Sequence, residues 1–85
     1  MKQINQILET KDVVKFLQSR NLLSQYKKAK LYLLQERVLT VRFRGRKPNG
    51  SGIWYFRINK QYRAYCTFSG IGNLVVFEIN DHQNK

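Results

Sequence analysis

Acidic residues are scarce in this chain, and cysteine, histidine and proline occur once each. Five Asp and Glu stand against sixteen Lys and Arg in 85 residues. Each shortage excludes something. A lone cysteine, Cys66, cannot form an intramolecular disulfide, so stability must come from packing or from a partner. Set in an apolar stretch, Cys66 reads as a reduced, small core residue, which points to the cytoplasm. One cysteine and one histidine cannot build a zinc site of ordinary ligand spacing, so no metal is expected. Neither a GxxxxGK[ST] loop nor GxGxxG occurs, and no nucleotide cofactor is expected. His82 has no convincing serine–acid partnership of the kind that serves a hydrolase triad. Long apolar runs are missing too: Leu74-Val75-Val76-Phe77 is far too short to cross a bilayer, and the N-terminal stretch has no signal-peptide-like run. A soluble protein is expected, a single small domain over residues 1–85 with no membrane partner.

Positive charge is what the sequence has in abundance. The formal net charge is +11, and self-repulsion of that size opposes compaction unless a polyanion or an acidic protein relieves it. Its distribution says more than its sum. No acid falls between Arg37 and Phe77, whereas Arg37, Arg42, Arg44, Arg46, Lys47, Arg57, Lys60 and Arg63 all do. So one-sided a segment indicates contact with nucleic acid. A basic membrane-surface helix fits less well, because much of the charge lies in predicted strands.

The apolar pattern predicts the elements. Ile4, Ile7 and Leu8 suggest a short strand over 2–8. Thr10 is placed to cap a helix over 10–20, with Asp12 in its first turn and Val13, Phe16 and Leu17 as its apolar stripe. After a turn over 21–24, a second helix over 25–36 would turn Tyr26, Ala29, Leu33 and Leu34 inward and Lys27, Lys28 and Lys30 to solvent. The period then becomes two. Leu39, Val41 and Phe43 alternate with Thr40, Arg42 and Arg44, predicting a half-buried strand. Residues 45–52, with three glycines and the only proline, read as a loop. Further strands are predicted over 53–58, 62–68 and 74–79. The expected fold is α+β, in the order β-α-α-β-β-β, a helical hairpin packed on one face of a mainly antiparallel sheet. The other face would carry Arg42, Arg44, Arg57 and Arg63 with tyrosines, a floor suited to RNA by stacking and phosphate contact.

Two arginines set among aromatic residues, in Ile53-Trp54-Tyr55-Phe56-Arg57-Ile58 and Tyr62-Arg63-Ala64-Tyr65, are the candidates for holding phosphate. RNA cleavage requires no external nucleophile, because the 2′-hydroxyl can attack the adjacent phosphate. A protein then has to align the strand, move protons and stabilise added negative charge. Histidine suits proton transfer near neutrality, and the permanently charged arginine fork suits phosphate oxygens. Each residue also has a plainer reading. His82 sits in a polar tail, Arg57 could be a solvent-facing strand residue, and Tyr55 and Tyr65 could pack the sheet or stack on bases.

On these residues the chain resembles the RelE/ParE superfamily of bacterial type II toxins, and most closely its YoeB-like and RelE-like ribonucleases. The resemblance is carried by Trp54, by Arg57-Ile58, by three connecting residues before Tyr62-Arg63, and by the final apolar strand leading to His82. It covers about residues 53–83 in detail and the rest in element order. It implies an endoribonuclease that cuts mRNA in the ribosomal A site, beside 16S rRNA, without a metal, and that an acidic antitoxin neutralises. By position, His82 would be the general acid or base and Arg57 the phosphate stabiliser. Arg42, Arg44, Arg46, Lys47, Arg63, Tyr55 and Gln83 would bind substrate. The chain departs from the YoeB-like pattern at Gln83, where an aromatic residue follows the histidine, and in 45–52, where a carboxylate is missing. Lys47 is a candidate second proton carrier. Because fold does not fix function, two alternatives stand beside it: a ParE-like DNA gyrase inhibitor and a non-catalytic basic RNA-binding relative.

Overall fold

A computed structural model describes residues 3–48 and 50–81. The chain forms β1 (Gln6–Glu9), α1 (Lys11–Ser19), α2 (Leu23–Leu34), β2 (Arg44–Gly45), β3 (Ile53–Arg57), β4 (Tyr62–Ser69) and β5 (Asn73–Asp81). Among the described residues, five strands make one sheet in the order β1-β5-β4-β3-β2. β1 runs parallel to β5 and the other pairings are antiparallel. The α+β class, the two helices and the mainly antiparallel sheet are those expected; the observed order, β-α-α-β-β-β-β, has one strand more than the expected one.

Local chemistry sets the helix ends. Thr10 has extended backbone, and its hydroxyl accepts a hydrogen bond from the Val13 N–H at 3.3 Å. That cap, with Asp12 in the first turn, satisfies part of the helix's unpaired N-terminus. Val13 and Leu17 are buried, and Phe16 packs partly against the core. Asn21 takes a left-handed φ of 59°, a conformation asparagine tolerates better than most residues. It turns the chain tightly enough for α2 to begin at Leu23, two residues before the expected start. Tyr26, Ala29 and Leu33 are buried as predicted, but Leu34 is 40% exposed. Neighbours on a helix point about 100° apart, so Leu33 facing the core turns Leu34 away from its centre.

The predicted strand over 39–44 does not form. Arg42 has φ 53°, which no strand accommodates. Turn bonds replace the ladder, from Thr40 N–H to Arg37 O and from Phe43 N–H to Val38 O. Alternation is lost with it: Val41 is buried, whereas Leu39, expected to face inward, is 87% exposed. What remains is the two-residue β2, whose Arg44 pairs with Tyr55 and Gly45 with Trp54. Between β1 and β4, β5 runs to Asp81, past the expected end at residue 79. A bulge sets Cys66 opposite Val76 but Tyr65 opposite Glu78, so Phe77 is the extra residue.

The core lies between the helices and the inner sheet face, around Phe56, Leu17, Leu33, Leu74, Val76 and Cys66. Burial pushes the Cys66 thiol up to about 12, consistent with an inert core residue. Lys30 does not reach freely into solvent as expected. Its ammonium pairs with Glu9 at 2.7 Å, and the Tyr26 hydroxyl donates to the same carboxylate at 2.8 Å, tying β1 to α2. Gly72, with φ 78°, accepts from the N–H groups of Asn5 and Gln6 through its carbonyl, and a Cβ there would run into the Asn5 side chain. Among the described residues, no helix is long and apolar enough to cross a membrane.

Candidate nucleic-acid interface

The face of the sheet away from the helices is built by strand alternation. With Trp54 and Phe56 turned to the core, β3 must present Tyr55 and Arg57 outward. With Ala64 and Cys66 buried, β4 presents Arg63 and Tyr65. Register then fixes the neighbours. Tyr55 lies opposite Tyr65, Arg57 opposite Arg63, and Arg44 opposite Tyr55 from the short edge strand. Arg42 joins them from the turn, because its left-handed backbone redirects the chain and the Arg57 N–H donates to Val41 O at 2.7 Å. Arg42, Arg44, Tyr55, Arg57 and Arg63 line one pit of about 60 Å³.

The tyrosines organise the charges. The Arg63 guanidinium lies 4.4 Å from the Tyr55 ring centre, and Arg46 lies 5.3 Å from that of Tyr65. The two rings stand 5.7 Å apart, tilted by 57°. This Arg63–Tyr55–Tyr65–Arg46 series holds long cationic side chains against rigid rings, which limits the freedom they lose on gripping a ligand. Four guanidiniums around an opening too small for a base suit an anion with several oxygens, and a phosphodiester is such a group.

The structure brings together most of the residues singled out from the sequence. Arg42, Arg44, Arg57, Arg63 and Tyr55 share the pit, and Arg46 stands on the same face over Tyr65. Lys47 is exposed on the loop between β2 and β3 and does not line the pit. His82 and Gln83 lie outside the described residues. Sequence reasoning missed a second depression beside Arg57, lined also by Gln25, Lys28, Tyr32, Thr40 and Asn59. It exists because 38–42 is a turn, and the sequence signals a strand there.

No protein-family model matches the sequence, and no curated protein matches it. Solved structures do match in shape. In two crystal structures of the E. coli DinJ-YafQ toxin–antitoxin complex, one chain is similar with a TM-score of 0.67. Identity is 12% over 92% of this chain and 93% of that chain in one, and 13% over 94% and 93% in the other. The YoeB/ParE toxin from Agrobacterium tumefaciens is similar with a TM-score of 0.62 and 22% identity, over 96% of this chain and 99% of that one. The chain thus shares its fold with these solved structures.

Proposed function

We propose that the protein is the toxin of a bacterial type II toxin–antitoxin pair, an endoribonuclease acting on mRNA in the ribosomal A site and neutralised by an acidic antitoxin. The observation that carries this reading is the pit where Arg42, Arg44, Arg57 and Arg63 converge on a sheet face with Tyr55. In RNA cleavage the 2′-oxygen bonds to phosphorus while the bond from phosphorus to the 5′-oxygen breaks. The attacking hydroxyl loses its proton to a base, and the departing oxygen takes one from an acid. Negative charge builds on the phosphoryl oxygens between these events. Arg57, with Arg63 beside it, is the group to stabilise that charge. His82 is the group to move a proton. β5 keeps its ladder through Asp81, which pairs with Tyr62, so the residue before His82 is anchored beside the strand that carries Arg63.

The net charge of +11 supports the second half of the proposal, since an acidic antitoxin would relieve the repulsion on this face. Mapping transcript ends after brief expression in growing cells tests the reading. The wild-type chain should produce new ends within translated codons. Arg57→Ala and His82→Ala should each suppress them by roughly a hundredfold or more while the circular dichroism of the purified proteins is unchanged. Intact transcripts with DNA damage would instead identify a gyrase-directed toxin. Salt-sensitive RNA binding without cleavage would identify an inactive relative.

A further inference from the structure

We infer that the cleft on the other side of Arg57 is a nucleobase subsite, which takes the base of a nucleotide whose phosphate sits in the arginine pit. This deepens the ribonuclease reading and rests on it for the phosphate. β2 stops opposite Tyr55, so on the side away from β4 the last residues of β3 have no neighbouring strand. They face the turn over 38–42 and the side of α2 instead. The space left between them is a cleft of about 300 Å³, at the lower end of the range for small-ligand sites. Arg57 lines both the cleft and the pit, so it is the residue at which a ligand's base and phosphate would meet.

The lining specifies the chemistry. Ala29, Val41 and Ile58 give the cleft an apolar floor, which suits a flat ring. The other lining residues include Lys28, Tyr32, Thr40 and Gln25, which carry an ammonium, two hydroxyls and an amide. The Asn59 amide is already committed. Its nitrogen donates to the Gln25 carbonyl oxygen at 2.6 Å, and its oxygen accepts from the N–H groups of Gln61 and Tyr62. The bond from Asn59 uses the Gln25 carbonyl oxygen and not its NH₂ donors. Tyr32 is steadied by the Arg37 guanidinium, 5.1 Å from its ring centre. Lysine can only donate, and the amide and the hydroxyls can each donate as well, so a base edge rich in acceptors can be met by every one of these residues. Guanine, with O6 and N7 side by side, is the fullest match.

Titration of the ¹⁵N-labelled chain with guanosine 3′-monophosphate and, separately, with inorganic phosphate tests this. Each hydrogen bond in the cleft is worth about 1 kcal/mol, or roughly fivefold in affinity. The nucleotide should bind at least that much more tightly than phosphate and shift the amide signals of Ala29, Tyr32 and Ile58, which phosphate should leave in place. Thr40→Val and Gln25→Leu, both at exposed positions, should each remove part of that advantage while leaving phosphate affinity unchanged. Equal affinities, with only the signals of Arg44, Tyr55 and Arg63 moving, would overturn the base subsite and leave the phosphate pit standing. If neither ligand moved those three signals, the phosphate pit would fall and the base subsite with it.

Discussion

Replacing Arg44 by glutamine should lower the salt dependence of RNA binding by a fixed increment. The pit brings four guanidiniums together, from Arg42, Arg44, Arg57 and Arg63. If each neutralises one phosphate contact, the logarithm of the binding constant falls against the logarithm of salt with a slope of about −2.8, because each contact on a single strand contributes about 0.7. Between about 50 and 200 mM salt that slope means a loss of roughly fiftyfold in affinity. Arg44→Gln removes one contact, so the slope should flatten to about −2.1 and the loss to nearly twentyfold. Fluorescence anisotropy with a labelled oligoribonucleotide reads both. Lys15→Gln is the control, because Lys15 is an exposed residue of α1, on the helical side of the sheet. It changes the net charge by the same amount and should leave the slope alone. If Lys15→Gln flattened the slope as much as Arg44→Gln did, RNA would be responding to overall charge, and the argument from the arginine face would fail.

Two further predictions concern the scaffold. Stability should fall in alkali. The Cys66 thiol titrates near 9.0 in an unfolded chain and at about 12 in the fold, so above pH 9 the unfolded state alone releases that proton. Stability is then complete below pH 9 and declines as pH rises toward 12, by up to about 1.4 kcal/mol per pH unit. Burial and the hydrogen bond to Glu9 push the Tyr26 phenol upward as well, which steepens the decline above pH 10. Urea midpoints at several alkaline pH values should therefore fall less steeply for Cys66→Ala than for the wild type, and equal slopes would refute the assignment. Thr10→Ala should cost about 1 kcal/mol by removing the cap of α1. A matching shift in urea midpoint at neutral pH, with no change in RNA affinity, checks that the cap is purely structural.

Most of the fold was legible because its elements obey their local rules. Thr10 caps the helix it predicts, and strict alternation in 53–57 and 62–68 places both arginines and both tyrosines on one face. The failure over 39–44 is equally physical. Leu39, Val41 and Phe43 alternate as a strand would, but Arg42 takes φ 53°, and no residue type in that stretch announces a left-handed backbone. A glycine or asparagine would have given the turn away, as Asn21 does. Lys30 reads as solvated in the sequence because its partner, Glu9, lies 21 residues away, beyond the reach of helical spacing. The pit was legible from the outward-facing residues alone. The cleft was not, since Gln25, Tyr32 and Thr40 meet only when the turn folds against α2.

The strongest physical argument for function is a violation of the rules that build the rest of the sheet. Arg57 and Arg63 stand directly opposite each other on neighbouring strands, and the next residue in that row is Asn80, which carries no charge. Like charges in that position destabilise a sheet by up to about 1 kcal/mol. Arg42 adds to the penalty, since a left-handed non-glycine residue costs on the order of 1 kcal/mol more. Stability alone would favour an acid in place of any one of them. The tyrosine under Arg63 offsets part of the repulsion without neutralising it, which keeps the charge available. An arrangement held against its own repulsion is prepared for an anion from outside, and the energy it withholds from folding returns when phosphate binds. Arg63→Glu should therefore stabilise the isolated chain while weakening its hold on RNA. An arginine face selected only for folding would give no reason for those two effects to oppose each other.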